Sequence, residues 1–339
     1  MMISTKFRLF AILVPILGAL TTLHASSPLV VTATNAAQNQ LLVYDSNGTL
    51  MQTVSTQGNG GVSGNAGGIE AKGGLVAVVN FGSQNVSIFE RSNDSLQMTQ
   101  LVTAASSPVS VAFGDGHMYI LGTTKVESHR MFGSTVNSSP DGIVTLLKAD
   151  GSSAQVGVLP NQLIITEKSN VIETVDLLPD GAVSGVPTLV QNIPANVNAP
   201  FGLATRGNNA YVTIAHADEI SLVRNGKVLT VTGSGTQHAP CWVTLVGPFL
   251  FSANSPSMSV SRYSVYGQQI VQDAAVAAQI NGNPTDIASG AGLLAVIDGN
   301  GPLSHLSIFS VDDDGILTLR KAATMNAGIN GVAVVHGQD

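Results

Sequence analysis

Hydrophobic and polar positions along this chain repeat as one unit. A small residue or a proline precedes a short strand, and a turn leads into a second, almost wholly apolar strand. A third strand in alternating pattern follows. The apolar residues at the middle of the successive first strands are Ile69, Val111, Val156, Leu203, Val243, Ile287 and Val332, at intervals of 42, 45, 47, 40, 44 and 45 residues. Units of roughly 40 to 50 residues are the length of a four-stranded propeller blade. Seven anchors therefore predict an all-β, single seven-bladed β-propeller.

Val332 lies only seven residues before the C-terminus, so its blade has no later strands of its own. The N-terminal segments LVVTATN (29–35), LLVYD (41–45) and MQTVS (51–55) are expected to supply them, with GVAVV (331–335) as the innermost strand. Pairing of the two termini in one blade closes the ring and hides the sheet edges. Recurrent DSNG, KADG, LPDG, RNG and DDDG strings mark the turns between third and fourth strands. Counting the closing blade as the first, blade three is expected to lack its outer strand, because only DGSS separates its third strand from blade four. One tryptophan in the chain excludes a WD40 array. A βαβ fold would need helical periodicity between strands, and Asp273 to Gln279 is the one short hint of it.

The N-terminus reads differently. Lys6 and Arg8 precede an apolar run from Leu9 to Leu23, and small and polar residues follow. This is the layout of a secretory signal peptide, expected to span 1–25 with cleavage after Ala25, leaving 26–339 as the propeller. The run is short of the roughly 20 residues that cross a bilayer, so a secreted protein of the extracellular space or cell wall, without a membrane span, is expected. Two of the 14 Lys and Arg residues fall in the leader, against 21 Asp and Glu in the whole chain. An acidic protein without a basic cluster does not suit nucleic acid. The single cysteine, Cys241, rules out an internal disulfide. Sequons at Asn47, Asn85, Asn93 and Asn137 are candidate glycan sites on exposed turns. A monomer is expected.

Familiar catalytic strings are missing: no Gly-x-Ser-x-Gly, no His-Glu-x-x-His and no Cys-x-x-Cys. GNGGVSGNAGG (58–68) lacks the dinucleotide pattern and reads as a loop between blades; Asp312 to Gly315 reads as a hairpin turn and not a calcium loop. Candidate chemistry gathers instead where second strands end, on the face called the top here. Asn35, Asn80, Thr123, Lys168, His216, Asn254 and Asp298 follow directly on apolar runs. Either they form a ring of convergent polar groups at the channel mouth, or they cap strand ends. Glu167 stands beside the ring, next to Lys168, in surroundings that shift a pKa. A long segment in blade three, 123–142, is expected to lie over the same face with Lys125, Glu127, His129 and Arg130, and His238 to point there as well. His117, His305 and His336 are read as structural.

The strings LIITEKSNVIETVDLLPDGAVSG (163–185), APFGLATRGNNAYVTIA (199–215), HAPCWVTLVGPFLFSAN (238–254) and NPTDIASGAGLLAVID (283–298) resemble the lactonase-type seven-bladed propellers. These include 6-phosphogluconolactonases and carboxymuconate-lactonizing enzymes, and the nearer likeness is to a secreted branch. The resemblance covers nearly the whole chain after the leader. It implies chemistry on a small lactone or a ring-closing organic acid. Glu167 would act as general acid/base with His216 or His129, and Lys168 or Arg130 would bind a carboxylate or oxyanion. Asn80, Asn254, Asp298 and His238 would complete the substrate site. No cofactor is required by this reading; a second version makes Asn80, Glu167, Asn254 and Asp298 oxygen ligands for calcium, as in metal-dependent propeller lactonases of other families. The alternative is a non-catalytic glycoprotein propeller that binds protein or carbohydrate.

Overall fold

The computed structural model describes residues 1–3, 27–192 and 197–336. Beyond Ile3, the expected leader lies outside the described residues. Seven small antiparallel sheets follow one another along the chain, and together they form the seven-bladed propeller. The innermost strands of blades two to seven are Ile69–Lys72, Pro108–Gly114, Ser153–Leu159, Pro200–Arg206, Pro240–Val246 and Asn283–Gly290. Each holds one of the anchors. Blade one has Asn330–Val335 innermost, then Leu29–Ala33, Gln40–Asp45 and Leu50–Ser55. The termini thus close the ring through the pairing of Leu29 with Val335 and of Thr32 with Val332.

The second strands are mostly apolar because each is buried on both faces. In blade one, Val31, Leu41 and Val43 pack with Val76, Val78 and Phe89 of blade two. The alternating residues Val30, Leu42 and Tyr44 pack with Leu293, Ala295 and Ile297 of blade seven. Inner strands approach more closely still. A Cβ on Gly202 would meet the Cys241 carbonyl oxygen at 2.4 Å, so only glycine admits this spacing of blades five and six.

Blade three departs from expectation. Segment 123–142 is not a loop over the top face: Lys125–Phe132 is the third strand, antiparallel to His117–Gly122. Its outer side is covered by Gly142–Thr145, and the short Thr135–Val136 pairs at its far end, so the fourth strand is split rather than missing. Nor is Asp273 to Gln279 helical; it belongs to the outer strand Gln269–Gln279 of blade six. Sheet pairing across a bulge at Arg262 accommodates its alanines, a tertiary override of local propensity.

Candidate functional site

Register decides what the top of the propeller holds. With each anchor aligned on its partner in the second strand, the positions two residues past those partners superimpose as Asn80, Gly122, Glu167, Ile214, Asn254 and Asp298, with Thr34 in blade one. The ring expected from sequence mixed registers: Asn35, Thr123 and Lys168 lie one residue further on and His216 two. The equivalent set is therefore not uniformly polar.

Apart from half-buried Thr34, its polar members are buried inside the blades and not aimed at a common centre. Asn80 Oδ1 accepts from Thr56 Oγ1 at 2.8 Å and from Asn39 Nδ2 at 3.0 Å, while its Nδ2 donates to Asn85 and Ser87. Asn254 Nδ2 donates to Ser259 and Ser261. Asp298 Oδ1 is 2.7 Å from His305 Nδ1. Glu167 accepts from the Lys148 N–H, and Glu173 on the adjacent strand from the Leu147 N–H at 2.8 Å. Both glutamates are fully buried, and Glu167 Oε2 and Glu173 Oε1 have no hydrogen-bond partner among the described residues. Burial raises the pKa of each, and for Glu167 the Glu173 charge adds to the rise. The four residues considered for calcium stand on four blades, each engaged in its own network. Among the described residues no group of three His, Cys, Asp or Glu is disposed to hold a metal ion.

The other candidates divide in the same way. His129 is buried within blade three, pairs opposite Met118 near the far end of the strand, and binds the Asn137 carbonyl at 2.8 Å. Arg130 sits opposite His117, at the bottom of the propeller, bound to Asp180 at 2.5 Å. Neither reaches the top, because the expected loop is a strand that runs away from it. His216 is exposed there, in the turn Ala215–Ala217, and His238 Nδ1 meets Asp218 Oδ2 at 2.9 Å. Against the upward pull of burial, the Ala239 N–H and His238 hold the Asp218 carboxyl below its ordinary value. Of the sequons, Asn47, Asn93 and Asn137 are exposed, whereas Asn85 is buried with its amide nitrogen on the Ser83 carbonyl.

Lys168 has a different task. Its ammonium donates to the carbonyls of Gly64 and Ser153 and stands over the Phe201 ring, 5.8 Å from its centre. Gly64 belongs to the glycine-rich segment 58–68, which crosses the top of the channel. Asn35 Oδ1 accepts from the N–H groups of Gly61 and Val62. Asn65 Nδ2 donates to the Val109 carbonyl, its Oδ1 accepts from Asn330, and its own carbonyl accepts the Trp242 indole N–H at 3.0 Å. Ala66 N–H reaches the Ala154 carbonyl. A segment tied at once to blades one, three, four and six closes the ring from above. Glycine allows this packing: a Cβ on Gly60 would lie 2.3 Å from the Asn35 carbonyl carbon.

Below this plug the inner strands line a cavity of about 240 Å³, partly open to solvent. Its lining runs from Gly67 down to Phe113, Val158, Thr205 and Ser289, toward the end where first and second strands turn. Two acids face it. Asp286 is 4% exposed and accepts the N–H groups of Ile287 at 2.9 Å and Val332 at 3.3 Å. Burial nonetheless pushes it up to about 7. Glu70 is half-buried along the lumen, and no hydrogen bond to its carboxyl exists among the described residues. Burial, and then the charge of Asp286, push it up to about 8. Gln155, Thr205, Thr244 and Ser289 add neutral polar groups to walls formed by Val156, Leu203, Val243, Ile287 and Val332.

No family model matches the chain, and no curated protein matches it. Solved structures do. A Bacteroides fragilis protein provisionally described as a 6-phosphogluconolactonase aligns at 14% identity and TM-score 0.67, over 91% of this chain and 98% of its own. Streptogramin B lyase aligns at 16% identity and TM-score 0.58, over 80% and 87%. Virginiamycin B lyase from Staphylococcus aureus aligns at 15% and 0.56, over 80% and 92%. The likeness is one of fold.

Glu70 and Asp286 escaped the sequence reading, although a signal existed. Glu70 directly follows its anchor, where the other blades carry Ala112, Gly157, Ala204, Thr244, Ala288 and Ala333. Asp286 directly precedes Ile287, where most blades carry a small residue or a neutral polar one. A lone carboxyl beside an innermost anchor has nowhere to point but the channel or the neighbouring blade.

Proposed function

We propose that the chain is a secreted, lactonase-like propeller that performs acid–base chemistry on a small ring ester, or on the hydroxy acid that closes to one, inside the central cavity. The observation that carries this reading is the Glu70 carboxyl: it lines a lumen partly open to solvent, lacks a hydrogen-bond partner among the described residues and is pushed up to about 8. Such a group holds or releases a proton close to neutral pH, as a general acid/base must. In hydrolysis, Glu70 would take a proton from the water that adds to the ester carbonyl and return it to the ring oxygen as that bond breaks. Gln155, whose Oε1 accepts the Leu203 N–H at 2.7 Å, keeps its amide NH₂ as a donor for the carbonyl oxygen. Two facts favour the cavity over the rim: Glu167 and Glu173 are sealed inside blade four, and Lys168 is committed to the plug.

The test is hydrolysis of aliphatic, sugar and aromatic lactones by the mature protein, with and without chelator. Turnover lost in Glu70→Gln at unchanged melting temperature is expected. Full turnover in that variant would remove Glu70 from the reaction. A folded wild-type protein inert toward every ring ester would favour the binding-protein reading.

A further inference from the structure

We infer that the cavity accepts a ligand bearing an organic cation, an ammonium group, seated between Glu70 and Asp286 against the Trp242 ring. This deepens the reading above by naming the charge of the substrate class; it rests on the cavity being the working site and not on turnover.

Charge is the first argument. Among the described lining residues, the titratable groups are Glu70 and Asp286 alone; no Lys, Arg or His faces the lumen. Lys72 and Arg206 end the inner strands of blades two and five, but on exposed turns beyond it, and the Lys168 ammonium is bound above the plug-side wall. The Cys241 thiol beside Trp242 is pushed up to about 12 by burial and stays neutral. A phosphate or carboxylate entering this lumen would meet two acids and no donor of opposite charge. A cation would meet the reverse.

The second argument is the unmet carboxyl. Glu70 stands half-buried along the lumen without a hydrogen-bond partner among the described residues, next to a second acid whose charge already opposes its own. Asp286 is satisfied by backbone N–H groups, so it is fixed in place and Glu70 is the arm that remains to be paired. The wall supplies the third argument. Trp242 is among the lining residues, its N–H taken by the Asn65 carbonyl and its largely buried ring edge-on to Phe201 with centres 5.3 Å apart, so a ligand would meet what remains exposed of the ring. An aromatic ring beside carboxylates is the chemistry that recognises substituted ammonium groups. A calcium ion would want six to eight oxygen ligands, whereas most of this wall is aliphatic.

Trp242 is the single tryptophan of the chain, so its fluorescence reports the cavity directly. The experiment titrates the full mature chain with choline and with 3,3-dimethylbutan-1-ol, its neutral isostere, and separately with calcium chloride. A saturable signal with choline is expected, on the order of tenfold tighter than the isostere. Affinity should rise on the order of tenfold or more from pH 6 to pH 9, as the ionised fraction of the two acids grows, and fall by a similar factor in Glu70→Gln. Equal binding of the isostere, a response to calcium alone, or no response would each overturn the inference. If Glu70→Gln fails to fold, the matched pair on the wild type decides. Choline binding without lactone turnover would keep this inference and remove the enzymatic reading; turnover of neutral lactones without choline binding would do the opposite.

Discussion

Arg91 joins three parts of the chain that meet only when the ring is shut. It lies on the third strand of blade two and is 2% exposed. Its Nε donates to the Asn93 carbonyl at 2.7 Å, Nη1 to Val335 at 3.1 Å on the C-terminal strand, and Nη2 to Ser27 at 2.5 Å on the N-terminal segment. Burial lowers its pKa and the Asp94 charge raises it again. Arg91→Ala removes three hydrogen bonds to a charged donor, each worth about 1.5–3 kcal/mol, and strands a carbonyl beside Val335. Relief of the buried charge offsets part of this by several kcal/mol. The expected loss is about 3 kcal/mol. Urea unfolding followed by Trp242 fluorescence measures it, with limited proteolysis reporting release of the termini. Arg91→Lys should recover less than half, because one ammonium cannot span three carbonyls in the arginine's fork geometry. A loss below about 0.5 kcal/mol, the range of an ordinary surface substitution, would refute the view that Arg91 holds the closure.

Three further outcomes follow from the same structure. Lys168→Met keeps the stem but removes the donor to Gly64 and Ser153; amide exchange across 60–66 should quicken, with about 1–2 kcal/mol lost, and unchanged exchange would contradict the latch. Glu70, Asp286, Glu167 and Glu173 all hold protons more tightly folded than unfolded, so stability should fall as pH rises from about 5 to 8. Asp141 and Asp218 are held below their ordinary values and act oppositely, costing stability only below about pH 4. Melting temperature should thus be higher at pH 5 than at pH 9, with a shallower slope in Glu167→Gln; a rise toward pH 9 would contradict the assigned shifts. Glycopeptide mapping after secretion from a eukaryotic host should find glycan among Asn47, Asn93 and Asn137 and none at Asn85, whose occupancy in folded protein would contradict its burial.

The blade count and the terminal closure were legible because they depend on hydrophobic period alone, and Val332 with so little chain after it forced the N-terminal strands into its blade. Register was harder. A second strand shows where its apolar run ends, but not which residue is hydrogen-bonded opposite an anchor, so Lys168 and His216 fell into a ring with Asn80. Blade three misled for another reason: polar Glu127, Ser128 and His129 are buried with partners, which no alternation rule anticipates. The plug was visible only as glycine richness, since its meaning lies in contacts with four distant blades. The cavity acids were hidden because chemistry is usually sought in loops, whereas Glu70 and Asp286 are strand residues beside anchors.

Carboxyl footprinting of the folded protein with a water-soluble carbodiimide and a small amine, mapped by mass spectrometry, tests the central claim most directly. It asks which acids a small molecule can reach, and it can be run before any substrate is identified. Rapid modification of Glu70, suppressed by a ligand of the cavity, with Glu167 and Glu173 untouched, is the predicted result. Modification of Glu167 and Glu173 with Glu70 protected would place the working site at the top of the propeller instead.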